Sequence, residues 1–389
     1  MKRIFIAVTS SILFLLCHGS WAADPGTSPS VPGNAIEEAA SSYIFVFHFG
    51  FPADRVLEEA NRLATEHGGA VRHTFKVALK GFSATLPTQA AARLAERNPH
   101  IAYYERNGVV SAIDRVDETA AAARAGSGQP GASEPPQVVP YGILRVGGPI
   151  AGGGRHAWVI DTGIDLNHPD LAVGTGANFV LRGKNSVADG NGHGTHVSGT
   201  IAALDNAIDV VGVAAGATVH PVRVLDNSGS GTIDGVVAGV DYIAANADPA
   251  RGDAVNMSLG AAGHFQSLHD AIVNTANLGI RFAVAAGNDA SNAGGYEPAH
   301  IDHPNVYTVS AIDNADVFAY FSNYGNPPID FAAPGVSIVS TAKGGGVTTM
   351  SGTSMAAPHV CGLLLLGMPR TSGNALQDPD GTADLIAHY

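Results

Sequence analysis

Three short segments of the chain carry side chains that together could turn a hydroxyl into a nucleophile. Trp158-Val159-Ile160-Asp161-Thr162-Gly163-Ile164-Asp165 reads as a buried strand that ends in a carboxylate. Asn191-Gly192-His193-Gly194-Thr195-His196-Val197-Ser198-Gly199-Thr200 crowds small residues around an imidazole where a helix begins, so that the helix can press against neighbouring backbone. Met350-Ser351-Gly352-Thr353-Ser354-Met355-Ala356-Ala357-Pro358-His359-Val360 sets a serine at the start of a helix that residues 363–366 continue as a buried leucine run. An aspartate can orient an imidazole and stabilise its protonated form. An imidazole whose ordinary pKa is about 6.5 can take a hydroxyl proton and return it near neutral pH. Asp161, His193 and Ser354 are therefore the candidate orienting acid, general base and nucleophile.

Other residues could complete that chemistry. Pro358 is expected in the first helical turn, where a missing N–H costs little. Ser354 then lies at a helix N-terminus, whose dipole and outward N–H groups favour a developing oxyanion. Ala285-Ala286-Gly287-Asn288 ends another apolar run in an amide, which makes Asn288 the candidate second oxyanion donor. His193 and His196 also suggest a metal pair, but the glutamate of the His-Glu-x-x-His zinc pattern is missing.

Groups this far apart in sequence need a scaffold that brings them together. Apolar runs at 156–160, 219–224, 254–259, 282–285 and 306–310 alternate with helix-like stretches. That pattern implies an α/β fold: a mostly parallel sheet covered by helices on both faces, with functional groups at the carboxyl ends of its strands. Upstream, residues 42–112 read as βαββαβ, a small ferredoxin-like α+β unit. Its second helix is followed, in this reading, by a last strand at 101–104, and residues 75–86 are expected to hold two strands meeting near Lys80-Gly81.

The 389 residues are 45% apolar and 14% charged, with 48 glycines, which suits two packed domains rather than a disordered chain. A net charge of −13 argues against a nucleic-acid partner. Lys2 and Arg3, the apolar run 4–17 and Ser20-Trp21-Ala22 read as an export signal over residues 1–22, so the expected product is secreted and extracellular, without a membrane anchor. The apolar run is shorter than the roughly 20 residues a bilayer needs. Bulky Leu16 before Cys17 argues against a lipoprotein. Cys361 is then the lone cysteine, expected to be a small core residue, and no intramolecular disulfide can form. Residues 23–41 read as a disordered spacer, 113–136 as an exposed linker rich in Ala, Gly and Ser, and 137–389 as the catalytic domain.

In their order Asp161, His193, Ser354, the three segments resemble the subtilisin-like serine proteases, or subtilases, over about residues 137–366. α/β-Hydrolases and chymotrypsin-like enzymes order the same groups differently. The resemblance implies a serine endopeptidase that works through an acyl-enzyme and acts on protein or peptide substrates as a monomer. It also implies that residues 42–112, with Gly81-Phe82-Ser83-Ala84-Thr85-Leu86, are an inhibitory propeptide, an intramolecular partner removed by self-cleavage within 114–136. Substrate would pair as a strand between Ser258-Leu259-Gly260 and Ser228-Gly229-Ser230-Gly231. The first side-chain pocket would be lined by Leu259-Gly260-Ala261 and Ala285-Ala286-Gly287, which implies broad specificity with an apolar or aromatic preference before the cut. Residues 203–214 resemble the family's calcium loop. Carried over by position, the carbonyls of Leu204, Ile208 and Val210 and the side chains of Asn206, Asp170 and Gln137 would hold a structural Ca2+, an all-oxygen shell of the kind calcium takes.

One departure is visible: residues 373–389 contain the turn sequence Asp378-Pro379-Asp380-Gly381 where the family carries a long helix. Two rival functions differ in standing. A catalytically dead scaffold would require a replaced site residue, and none is replaced. An esterase or peptide ligase using the same acyl-enzyme is not distinguished by motifs.

Overall fold

The computed structural model describes residues 33–113 and 136–389. Residues 33–113 form a small module: α1 (Gly33–Ala40), β1 (Ser42–Phe47), α2 (Val56–Glu66), β2 (Ala70–Phe75), β3 (Gly81–Thr85), α3 (Thr88–Arg97), β4 (Ile101–Arg106) and β5 (Val109–Ala112). The first four strands make an antiparallel sheet in the order β2, β3, β1, β4, the ferredoxin-like arrangement. One face of it packs Phe45, Phe47 and Phe82 against Val56, Ala60 and Leu63 of α2 and Ala91 and Leu94 of α3. The other face carries Ile44, Val46 and Phe75 into the core of the large module.

Two expectations for this module are corrected. Residues 33–40 are helical, because Ala35 and Ala39, four apart on one face, are buried and Glu38 pairs with Arg72 and Arg182; the export signal and residues 23–32 lie outside the described residues. The strand sought within 75–86 runs instead over Ala70–Phe75, and its half-polar sequence, with Arg72 and His73, hid it.

The large module contains β6 (His156–Asp161), β7 (Ala177–Asn178), α4 (His193–Ala202), β8 (Thr218–Arg223), β9 (Ser230–Thr232), α5 (Ile233–Asn246), β10 (Ala254–Met257), β11 (Leu259–Ala262), α6 (Gln266–Asn277), β12 (Arg281–Ala285), β13 (Tyr296–Glu297), β14 (Val306–Ile312), β15 (Ile329–Pro334), α7 (Thr353–Leu366), β16 (Arg370–Asn374) and β17 (Leu385–His388). Its main sheet has nine strands in the order β16, β17, β15, β14, β12, β10, β6, β8, β7. Neighbours are parallel throughout except β16 and β17. Alternation along β6 covers both faces: Ala157 and Val159 pack with Val197 of α4 and Met355 of α7, while Trp158 and Ile160 pack with Val236 and Val240 of α5. α7 is apolar all round and buried from Thr353 to Leu365, the behaviour of a helix enclosed by its own protein.

Pro358 is the sixth residue of α7 rather than a first-turn residue. Its missing N–H would have bonded the Ser354 carbonyl. That carbonyl instead accepts from the Ser258 hydroxyl at 2.8 Å, so the break in the helix ladder ties the serine to the end of β10. In place of a long final helix, β17 adds a parallel strand beside β15, and β16 closes the edge. Among the described residues no helix is long and apolar enough to cross a membrane.

Candidate active site

Asp161 is the last residue of β6 and is fully buried. Its carboxylate accepts from His193 Nδ1 at 2.8 and 2.9 Å and from the Thr162 N–H at 2.6 Å. His193 opens α4, and the helix can approach β6 this closely because of Gly194: a Cβ there would lie 2.1 Å from the Gly163 carbonyl. The turn into α4 is organised by Asp189, which accepts from the N–H groups of Asn191, Gly192 and Thr195 and from the hydroxyls of Thr162 and Thr195. Thr162 Oγ1 in turn accepts from the Gly194 N–H at 3.0 Å. Asp189 escaped sequence reasoning. Its signal was a carboxylate four residues before a glycine-flanked imidazole, near enough for the side chain to cap the helix start.

Ser354 is the second residue of α7 and is fully buried. α7 packs against α4, so both helix N-termini meet at the carboxyl end of the sheet, above β6 and β10. The Ser354 hydroxyl donates to the Ser258 carbonyl at 3.2 Å. Asn288, just beyond β12, is fixed through its carbonyl oxygen, which accepts from the Thr353 N–H at 2.9 Å and the Thr353 hydroxyl at 3.0 Å. Thr353 Oγ1 also accepts from the Gly287 N–H at 3.1 Å. Sequence reasoning missed Thr353, since a threonine beside a candidate serine carries no signal of its own.

The amide of Asn288 is thereby aimed into the cleft, where it donates to the carbonyl of Ile113 at 2.9 Å. β5 of the small module lies between β9 and β11, antiparallel to both. Ser111 faces Ser230 and Gly260, and Val110 faces Gly231. The Ala112 N–H donates to the Gly229 carbonyl at 2.8 Å, and the Ile113 N–H reaches the Ser258 carbonyl at 3.5 Å. Ser258, Leu259, Gly260, Gly229, Ser230 and Gly231 thus flank an extended segment of the chain itself, and Leu259 belongs to the cleft strand β11 rather than to β10. The Ile113 side chain rests on Gly260, where an added Cβ would come within 2.8 Å of its Cδ1. Ile113 also packs against the core layer that contains Ala285. Ala286 is fully buried, and Gly287 (φ +110°) backs onto Asn323, whose amide holds the Ala286 carbonyl at 2.9 Å.

His196 lies apart from this constellation, bonded through Nε2 to the Ile338 carbonyl at 3.0 Å. Burial lowers its pKa to about 3, so it is a neutral core residue. Cys361 is buried and its pKa is raised by burial, which makes it inert.

The residues expected to hold calcium come together. Gln137 Nε2 contacts the carbonyls of Leu204 (2.9 Å) and Val210 (3.4 Å), Asn206 Nδ2 donates to Asp170 at 2.7 Å, and the Val210 N–H donates to Asp170 at 3.3 Å. Ile208 adjoins them through its N–H on Asn206 Oδ1. Asp170 is fully buried, and burial raises its pKa to about 7. A buried carboxyl beside two side-chain amides and two backbone carbonyls, with no basic side chain bonded to it among the described residues, fits a hard divalent cation once the two amides turn their oxygens, rather than their nitrogens, inward.

The fold and this geometry define a serine peptidase built on a parallel α/β sheet. The family model for Peptidase S8, the subtilase family, matches residues 158–377. Subtilisin NAT of Bacillus subtilis subsp. natto is 38% identical over 312 residues, covering 78% of this chain and 74% of that protein. An extracellular serine proteinase of Thermus sp. (strain Rt41A) is 38% identical over 323 residues, with 79% and 71% covered. The solved structure of a cold adapted subtilisin-like serine proteinase superposes with a TM-score of 0.56 at 34% identity, covering 64% of this chain and 97% of that one. The chain belongs to the subtilase family, and it is a subtilisin-like serine peptidase.

Proposed function

We propose that the chain is a secreted endopeptidase made as an autoprocessed zymogen. Ser354 is its nucleophile, His193 the base, Asp161 the orienting acid and Asn288 an oxyanion donor. The observation that carries this reading is the Ile113 carbonyl, which accepts from Asn288 while the Ile113 N–H and the Ser354 hydroxyl both point at the Ser258 carbonyl. Ile113 therefore stands in for the residue before the scissile bond, and that bond in the precursor is Ile113–Asp114.

Asp161 holds His193 through Nδ1, which leaves Nε2 to exchange protons with the serine. Ser354 Oγ attacks the carbonyl carbon as its proton passes to His193. Negative charge grows on the carbonyl oxygen beside the Asn288 amide and the Ser354 N–H at the helix N-terminus. The C–N bond breaks as the imidazolium gives its proton to the leaving amine, and water repeats the sequence to free Ser354. Residues 33–113 act first as substrate and then as an inhibitor that occupies the cleft by strand addition.

The glycine at 260 and the isoleucine resting on it support an apolar preference before the cut. Calcium, when bound by Gln137, Asp170, Leu204, Asn206, Ile208 and Val210, supplies charge neutralisation for Asp170 and ties residue 137 to the 204–210 loop. The enzyme is proposed to act as a monomer. Expression of wild type beside Ser354→Ala tests the scheme: the wild type should mature with Asp114 as its first new N-terminus, and the variant should persist as precursor. Equal processing of both chains would refute self-cleavage.

A further inference from the structure

We infer that this chain carries a transition-metal site of the zinc class at His264, Glu297 and His300, behind the wall of the substrate cleft and separate from the catalytic residues. One ligand atom from each lies within 4.8 Å of the others. The backbone fixes this grouping. Glu297 in β13 faces Ala261 in β11, Gly263 (φ +91°) turns the chain so that His264 follows directly, and His300 lies three residues beyond Glu297.

Three observations mark a ligand site rather than a chance cluster. Glu297 is only 1% exposed, yet its Oε1 has no hydrogen-bond partner among the described residues, and Oε2 has only a long contact with the Phe265 N–H (3.4 Å) and one with His300 Nδ1 (3.4 Å). Burying such a carboxyl without a cation is costly, and a divalent ion would supply the missing charge. His300 is oriented from behind, its Nε2 lying 3.2 Å from Nδ1 of His269 in the first turns of α6. His300 Nδ1 faces both Glu297 Oε2 and, at 3.3 Å, the Tyr296 carbonyl, so an ion taken by Nδ1 would replace that backbone contact, with the Nε2 contact to His269 as the outer-shell support that metal-bound histidines usually have. His264 is exposed, which gives an ion a route in, and its ring meets His300 edge-on at 4.3 Å.

Two imidazole nitrogens and one carboxylate oxygen form a donor set for zinc and its neighbours and a poor one for calcium. Bound there, the ion would join β11, which carries Leu259 and Gly260, to β13 beneath it. It would thus clamp the cleft wall against the core.

The test titrates zinc chloride into the full-length Ser354→Ala chain in calcium-containing buffer, following heat and melting temperature, with cobalt(II) absorption as a second readout. This binding requires nothing of Ser354, so its failure and the failure of the protease assignment are distinguishable. The expectation is one ion per chain and a melting temperature raised by roughly 5–10 °C at a hundredfold excess over Kd. Affinity should weaken tenfold or more in each of His264→Ala, Glu297→Gln and His300→Ala, and hold in His156→Ala, which removes a histidine elsewhere. His264 is exposed, so its loss should not disturb folding. Absence of any zinc response, or binding undiminished in all three variants, would overturn the inference.

Discussion

Replacing Asn288 separates binding of the substrate from stabilisation of its transition state. The Asn288 amide meets the Ile113 carbonyl at 2.9 Å, so Asn288→Ala removes one hydrogen bond to a neutral oxygen in the ground state, worth about 0.5–1.5 kcal/mol. In the transition state the same donor faces a developing oxyanion inside a buried site. The excess over that ground-state term, which is the part that appears in kcat, is known from a subtilisin and adopted here as about 2.7–4 kcal/mol. The expectation is a kcat reduced by roughly 100- to 1,000-fold with KM changed less than about tenfold, because only the excess over ground-state binding appears in kcat. Asn288 also accepts from Thr353 twice, so Thr353→Val should reproduce part of the defect, about five- to tenfold in kcat, by loosening the amide. Steady-state hydrolysis of a chromogenic peptide with an apolar residue before the cut measures both. A kcat within fivefold of wild type, or a loss carried wholly by KM, would refute the oxyanion assignment.

Gly260→Val should lower kcat/KM for substrates with Leu or Phe before the cut by roughly 10- to 200-fold and spare those with Ala, since a single added carbon already lies 2.8 Å from the Ile113 side chain; an unchanged peptide-library profile would contradict this. Chelation should lower the melting temperature by roughly 10 °C, and Asp170→Asn should abolish the calcium response, as followed by calorimetry. Acid should loosen the docked small module. Burial holds the His73 pKa below its ordinary value against the attraction of Asp234 and Glu38 and with the repulsion of Arg72. The carboxyl of Asp234, which burial alone would raise, is held low by His73 and Arg72. His73 binds fewer protons docked than free, so its part of the docking energy is present above about pH 6.5 and is lost as pH falls below it, whereas that of Asp234 is lost only below about pH 3.8. Co-elution of the cleaved module with the enzyme should therefore decline between pH 7.5 and pH 5, and His73→Ala should flatten the profile.

The parts of this structure legible in the sequence are those where chemistry and backbone impose the same residues. Asp161 closes an apolar run that can only be a buried strand, Gly194 marks a helix pressed on backbone, and Asn288 ends a strand in an amide. The strands beneath them were placed to within a residue or two because parallel strands buried on both faces are continuously apolar. Other features depend on partners distant in sequence. Helix α1 is held by Ala35, Ala39 and Glu38 against elements it does not adjoin, and its Pro- and Gly-rich preceding segment masked it. Ile113 was assigned to a linker because its neighbours are polar and small, yet cleft strands β9 and β11 give it a place. The strands β16 and β17 flank a turn sequence that is visible, but only the open edge of β15 determines that they extend the sheet. His264, Glu297 and His300 are spaced like no metal motif; the pairing of β11 with β13 brings them together.

The most direct test of the catalytic assignment is a mass measurement on the mature enzyme after reaction with a serine-directed fluorophosphonate. The account predicts a single adduct, mapped by peptide analysis to Ser354, with labelling slowed by orders of magnitude in His193→Ala. An adduct on another residue, or equal labelling rates in the two proteins, would contradict it.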